Sequence, residues 1–178
     1  MNIPGGRRLG HAGAGWLDWR RRMDAHNATH VQNLLAQALA AEQERDWSRA
    51  ESMVREAIRL APRDPGCHQA LGNLFSASGR SEDSLHAYEQ ALSLAPDAPE
   101  VLNNLGTAWQ MLANWQRAGE CFEAALDGAP GLAAAHVNLG ILRLLLGDYD
   151  AGWQHYEWRR RLCGDDSAPL PVLPDSGL

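Results

Sequence analysis

Lysine is absent from this chain of 178 residues, whose 16 basic side chains are all Arg and are outnumbered by 22 acidic ones. The formal net charge is −6. Nucleic-acid affinity rests largely on neutralising phosphates, so this balance argues against a nucleic acid as the principal partner. Long apolar runs are also missing, since none reaches the roughly 20 residues that cross a bilayer. A Gly-rich stretch follows Arg7 and Arg8 where a signal peptide would be apolar, so neither a membrane segment nor a secretion signal is predicted.

Cysteine is scarce, with only three residues. Cys67, Cys121 and Cys163 are odd in number and share no spacing with disulfide frameworks or zinc sites. We therefore expect reduced thiols and a cytoplasmic protein.

Catalytic motifs are missing as well. The chain has no Gly-rich phosphate loop, no Gly-x-Ser-x-Gly and no credible Ser/His/Asp arrangement, so we predict neither an enzyme nor a cofactor. His26 and His30 lie four residues apart and could share a metal ion on one helix face. The carboxylate nearest to them, Asp24, lies off that face, so no metal site is predicted.

A spacing of 34 residues dominates what is present. Windows that begin at Val31, Pro65 and Pro99 carry small, apolar and Pro residues at matching positions, and a window from Ala133 keeps half of this pattern. The matching slots hold Ala50, Ser84, Ala118 and Gly152, then Ala57, Ala91 and Ala125, then Pro62, Pro96 and Pro130. Such a period predicts one supersecondary unit stacked on copies of itself, with its function on a long surface rather than in a closed pocket.

Each unit is predicted to be a helix, a short turn and a second helix. In the third unit, apolar residues from Val101 to Leu112 recur at steps of three and four, which is typical of a helix face. We expect a capping box over Ser48–Glu51 to open the second helix of the first unit, and Ser81 to cap that of the second unit. Gly72, Gly106 and Gly140 are expected to face the small slots of the second helices, which allows their axes to approach closely.

These features resemble the tetratricopeptide repeat (TPR) family. The second unit matches the pattern of that family at Leu71-Gly72, Ala91 and Pro96. The third unit matches it at Leu105-Gly106 and Phe122. The resemblance implies an all-α, right-handed superhelical solenoid of antiparallel helix pairs. We expect the solenoid over 31–164, in units 31–64, 65–98, 99–132 and 133–164. We expect a disordered tail over 1–15, a short helix or cap over 16–30, and a disordered Pro-rich tail over 165–178.

A second resemblance covers 144–162, LLLGDYDAGWQHYEWRRRL. It looks like the last TPR unit of large bacterial proteins that continue into a glycosyltransferase domain related to O-linked N-acetylglucosamine transferases. The catalytic half of those relatives is not in this sequence. The resemblance implies an alternative function, the substrate-recognition arm of a truncated or split glycosyltransferase whose catalytic domain or subunit would be the partner.

The groove of the stack is the expected binding site. Asn104 and Asn138 share a first-helix slot that points into the groove of TPR proteins, and the related transferases are similar in carrying an Asn ladder there. An Asn amide offers one acceptor and two donors, which can pair with a peptide backbone, although Asn is also tolerated on any exposed helix face. Ala36 and Ala70 depart from the ladder. The further groove residues expected to bind a peptide are Asn73, Asn103, Gln69, Thr107 and Gln110.

The sequence thus predicts a non-catalytic scaffold for a protein or peptide partner. None of the groove residues is a cation, so a clamp for a terminal carboxylate is disfavoured. Arg20–Arg22 and Arg159–Arg161 lie near Trp residues and could suggest nucleic-acid binding. We favour the simpler interpretation that these cations complement helix ends.

Overall fold

The computed structural model describes the backbone of residues 12–164 and the side chains of residues 27–164. Within 12–164 the chain forms nine helices and no strand, so the predicted all-α class is confirmed. Residues 1–11 of the tail expected over 1–15, and the whole tail expected over 165–178, lie outside the described residues. The helices are α1 (Ala12–Gln43), α2 (Trp47–Leu60), α3 (Pro65–Ala77), α4 (Ser81–Leu94), α5 (Pro99–Met111), α6 (Trp115–Gly128), α7 (Ala133–Leu145), α8 (Tyr149–Tyr156) and α9 (Arg159–Leu162).

The helices form hairpins that stack in series. α1 packs on α2, α3 on α4, α5 on α6 and α7 on α8, and each second helix then contacts the first helix of the following hairpin. Successive first helices also touch one another, α1 with α3, α3 with α5 and α5 with α7. The first helices therefore line one continuous face, which we call the groove, as expected for a solenoid.

The N-terminal helix differs from expectation. One continuous helix runs from Ala12 to Gln43, where we expected a tail, a short separate helix over 16–30 and then the first unit. The sequence contains neither Gly nor Pro between Trp16 and Gln43, so no residue there ends a helix.

The turn inside each hairpin has one recurring conformation. Arg45, Gly79, Ala113 and Gly147 occupy the same position of the repeat and have φ of 59°, 80°, 57° and 88°. The next backbone N–H then bonds back to a carbonyl of the preceding helix, as from Arg80 to Phe75 at 2.8 Å. This is the usual left-handed helix ending, here built with Gly in only two of four units.

The helix caps correct two predictions. Asp46, not Ser48, is the N-cap of α2, and its carboxylate accepts from the backbone N–H of Arg49 at 3.1 Å. The helix begins before the expected capping box because Trp47 is already helical and packs against the core. Ser81 is the first residue inside α4 rather than its cap, and Arg80 before it makes no capping bond with its side chain.

Small residues allow the two helices of a hairpin to approach closely. A β-carbon at Gly106 would lie 2.6 Å from the ring of Phe122 and 3.1 Å from the carbonyl oxygen of Ala118. A β-carbon at Gly140 would lie 2.9 Å from the carbonyl oxygen of Gly152. The expected contacts between these slots are confirmed in the third and fourth units. In the second unit a β-carbon at Gly72 would lie 2.5 Å from the ring of Tyr88.

The substitution Ala118→Leu tests this packing. Ala118 is fully buried between helices, so the larger side chain should overpack the hairpin and lower the free energy of unfolding by about 1–3 kcal/mol. Urea unfolding measures the change. Ala40→Leu, on an exposed part of α1, is the matched control and should stay within about 0.5 kcal/mol of the wild type. Equal stability of the two variants would contradict the assigned packing.

The fourth unit has a buried pair of His side chains in its core. His136 on α7 donates from Nε2 to the carbonyl oxygen of Pro130 at 2.9 Å, and its Nδ1 lies 2.8 Å from Nδ1 of His155 on α8. Since His136 carries its proton on Nε2, the proton between the rings belongs to His155. The ring of Trp158 stacks on His136 with a centroid distance of 3.8 Å. His136 is thus a packing residue of the core.

Burial lowers the pKa of both rings, that of His155 to about 4. Protons then bind the unfolded chain more strongly than the folded one below about pH 6.5, so stability falls as the pH falls. Between pH 7 and pH 4 we expect His155 to account for a loss of about 2–3 kcal/mol.

Urea unfolding at several pH values checks this expectation. In His155→Asn the amide N–H can still donate to His136, but the titrating group is gone. The variant should therefore show a shallower fall in stability between pH 7 and pH 4 than the wild type does. Parallel pH profiles of the two proteins would show that the His pair is not the cause.

Candidate functional site

Five of the seven predicted groove residues meet across three first helices. Asn73 lies on α3, Asn103, Asn104 and Thr107 lie on α5, and Asn138 lies on α7. The contacts between successive first helices bring these side chains within reach of one another. The site is therefore built by neighbouring units together, not by any single hairpin.

The first part of the site joins α4, α3 and α5. The Tyr88 hydroxyl donates to Oδ1 of Asn73 at 2.8 Å, and Nδ2 of Asn104 donates to the same oxygen at 3.0 Å. Burial raises the pKa of Tyr88 to about 12, so its hydroxyl keeps its proton at neutral pH and remains a donor. With both donors on Oδ1, the amide nitrogen of Asn73 points away from them.

The second part continues to α7. Asn103 donates from Nδ2 to Oδ1 of Asn104 at 3.3 Å, and Asn138 donates from Nδ2 to Oδ1 of Asn103 at 2.9 Å. Asn138 also lies 3.4 Å from the Thr107 hydroxyl. We call the connected residues Tyr88, Asn73, Asn104, Asn103 and Asn138 the amide chain.

The two ends of the amide chain keep free hydrogen-bonding capacity. Within the described residues, Nδ2 of Asn73 and Oδ1 of Asn138 make no hydrogen bond, and Asn73 is exposed. Asn103 is only 7% exposed and both its amide atoms are used internally. The groove thus offers a donor at one end and an acceptor at the other, while Asn103 positions its neighbours.

An open cleft of about 380 Å³ lies over this part of the groove. No charged side chain contributes to its lining. The lining residues are Asn73, Ser76, Ala77, Tyr88, Asn104 and Thr107. A neutral cleft of this kind can pair with polar backbone groups but gives no Coulomb attraction to an ionic ligand.

Two predicted site residues stand apart. Gln69 and Gln110 are partly buried, and within the described part of the chain no hydrogen bond joins either of them to the amide chain. Their place in the binding site stays a prediction.

Sequence reasoning misses Tyr88 as a site residue, because a large aromatic side chain at this slot of the repeat is typical of the core. The signal available was its hydroxyl, since the equivalent position of the next unit holds Phe122, which has none. Tyr88 packs against Gly72 and also orients Asn73.

The other candidate groups are the His residues and the cysteines. Within the described residues, no three His, Cys, Asp or Glu side chains stand close enough to hold a metal ion. His30 is exposed, and the side chain of His26 lies outside the described set. Burial raises the pKa of both Cys67 and Cys121 to about 11, which leaves these thiols protonated at neutral pH.

The Arg side chains at the end of the fourth unit, Arg159–Arg161, already interact with neighbouring residues of the same chain. Arg159 pairs with Glu157 at 2.7 Å, and Arg160 pairs with the same carboxylate at 3.1 Å. The Arg161 guanidinium lies 5.5 Å from the centroid of the Trp158 ring. The side chains of Arg20–Arg22 lie outside the described residues. In the described part of the chain, no helix is both long enough and apolar enough to cross a membrane.

Known proteins with a similar fold share the hairpin stack. The chain is similar to MamA (41-end) from Desulfovibrio magneticus RS-1, with a TM-score of 0.65, 18% identity and 78% of each chain covered. It is similar to pilF of Pseudomonas aeruginosa, with a TM-score of 0.69 and 20% identity over 77% of this chain and 63% of that one. It is also similar to the first TPR of Spaghetti (RPAP3) bound to the HSP90 peptide SRMEEVD, with a TM-score of 0.62 and 13% identity over 67% of this chain and 94% of that one.

No curated protein sequence matches the chain at a significant level. Residues 70–131 match the family described as tetratricopeptide repeat. Identities this low show the fold alone, and the family match adds the sequence pattern of the central units. The chain is therefore a helical solenoid with a fold similar to that of these proteins, and its residues 70–131 match the tetratricopeptide repeat family.

Proposed function

We propose that this protein is a non-catalytic scaffold that binds an extended peptide segment of a partner protein in its groove. The observation that carries the proposal is the amide chain, which runs without a break from α3 across α5 to α7. Side-chain amides linked in this way are held in fixed orientations, so less conformational entropy is lost when a ligand binds.

The free atoms of the amide chain match a peptide backbone. The amide nitrogen of Asn73 can donate to a peptide carbonyl, and Oδ1 of Asn138 can accept from a peptide N–H. Every residue of a peptide except Pro offers both groups, so contacts of this kind hold a main chain without reading its sequence. Selectivity then comes from the cleft beside Asn104, which takes uncharged side chains in preference to ionic ones.

The uncharged lining of this groove differs from the cationic lining that would bind the acidic end of a peptide. Spaghetti (RPAP3) is bound to SRMEEVD, a peptide with acidic residues and a terminal carboxylate. The cleft here contains neither Lys nor Arg. We therefore infer that the partner segment is internal and largely uncharged, and that its binding changes little with salt concentration.

Variants of the amide chain test the proposal. An array of short peptides of varied sequence selects binders, and fluorescence anisotropy then measures their affinity. Asn73→Ala/Asn104→Ala should weaken binding by about tenfold or more, because donors to the peptide are lost and the chain is interrupted. Gln116→Ala, which removes an exposed amide on α6, is the matched control and should leave the affinity unchanged.

Two results would contradict the groove assignment. One is equal affinity of the double variant and the control for the selected peptides. The other is preferential binding of SRMEEVD with a steep loss of affinity as salt is raised, which would indicate a cationic site elsewhere.

A second candidate function rests on the sequence of 144–162, which resembles the last repeat before a glycosyltransferase domain. In that case the groove would present a protein substrate to a catalytic domain or subunit. The DNA that follows the codon for Leu178 tests this idea, since a complete unrelated gene directly downstream would exclude a split enzyme. For either candidate we propose a cytoplasmic location, because the three cysteines are not paired in disulfides.

A further inference from the structure

Exposed apolar side chains concentrate on one edge of the solenoid. Of nine large hydrophobic residues that are exposed among the described side chains, seven lie at or beside the turn within the third or the fourth hairpin. We call these seven the turn edge: Met111, Leu112, Trp115, Leu145, Leu146, Tyr149 and Trp153. The remaining two, Leu39 and Leu162, lie on α1 and α9.

The turn edge is continuous from one hairpin to the next. The hydroxyl of Ser81, at the start of α4, lies 3.8 Å from the sulfur of Met111, at the end of α5. Trp115, at the start of α6, and Leu145, at the end of α7, occupy the same two slots one unit later, so we infer that the third and fourth hairpins meet in the same way. The first unit has Gln43 and Glu44 at the slots of Met111 and Leu112, and the second unit has Ala77 and Ser78 there. The apolar edge is therefore a feature of the third and fourth hairpins.

The size of the turn edge exceeds that of an ordinary surface patch. Trp153 is 54% exposed and Tyr149 is 64% exposed. With about 150–250 Å² of surface for each aromatic side chain and somewhat less for each Met or Leu, the exposed fractions of the seven residues add up to on the order of 700 Å². The largest patch of a typical monomer is about 300–600 Å². Two such edges together would bury roughly 1,400 Å², which lies within the range of stable interfaces.

Charges at the two ends of the turn edge are opposite in sign. Arg117 comes two residues after Trp115 on α6, and its guanidinium lies 4.7 Å from the centroid of the Trp109 ring. Asp148 and Asp150 flank Tyr149 at the other end. Within residues 27–164, neither Arg117 nor Asp150 forms an ion pair. A second edge placed antiparallel to the first would bring Arg117 of one copy towards Asp150 of the other, in both directions at once.

We propose that the turn edge binds a second copy of this chain in a two-fold symmetric dimer. An apolar strip with one cationic and one anionic end is complementary to itself under a two-fold rotation. Isologous contacts of this kind are the commonest in homo-oligomers. The turn edge and the groove consist of different residues, so dimerisation leaves the amide chain free for its peptide and presents two grooves in one assembly.

Sedimentation equilibrium over a range of concentrations tests the proposal with the full chain. The wild type should dimerise with a dissociation constant in the micromolar range, as expected for an interface at the lower end of the standard size. Trp153→Glu should raise that constant at least about tenfold, because an aromatic contact of the interface is replaced by a buried charge. Leu39→Glu is the matched control, since Leu39 is 56% exposed and lies off the edge. Circular dichroism should show unchanged helix content in both variants.

Charge reversal tests the orientation of the two copies. Asp150→Arg alone should weaken the dimer, and the double variant Arg117→Asp/Asp150→Arg should restore it towards the wild-type constant. A wild type that stays monomeric at all concentrations would overturn the proposal and leave the turn edge to another kind of partner. Equal weakening by Leu39→Glu and Trp153→Glu would overturn it as well.

Discussion

The close approach of the two helices in each hairpin is the constraint on which the rest of the structure depends. At Gly106 and Gly140 a single added carbon would collide with a ring or with backbone atoms of the opposite helix. Because these contacts leave no room for a side chain, the axes of each pair are held at one separation. The hairpins nest in series, and their first helices come into contact along one face.

The groove depends directly on this nesting. Hydrogen bonds from Asn104 to Asn73 and from Asn138 to Asn103 cross between successive first helices, so a small change in their separation would break them. Tyr88 connects the core with the groove, because its ring lies against Gly72 and its hydroxyl donates a hydrogen bond to Asn73. A residue of the core therefore fixes the orientation of a residue in the groove.

The surfaces of the solenoid have different chemistry. The groove is polar and uncharged around Asn73 and Asn104, which suits main-chain contacts. The turn edge is apolar around Trp115 and Trp153, which suits a contact driven by the exclusion of water. A stack of repeats can have both a polar groove and an apolar edge, because residues on different faces of each hairpin are not constrained by the same packing.

Much of the fold follows from the sequence by itself, because the signals are local. The sequence repeats every 34 residues, with small residues such as Ala118 in fixed slots and Pro after the second helix of the first three units. These signals determine a stack of helical hairpins, and they place the groove amides on its first helices. Only the tertiary structure decided which groups meet. Asn73 and Asn104 are 31 residues apart, and Asn103 and Asn138 are 35 apart, so their pairing depends on how far each hairpin rotates against the next. That rotation is the sum of many packing contacts, and no single window of sequence contains them all. The role of Tyr88 and the alignment of the turn edge depend on the same rotation, so the sequence alone does not determine them either.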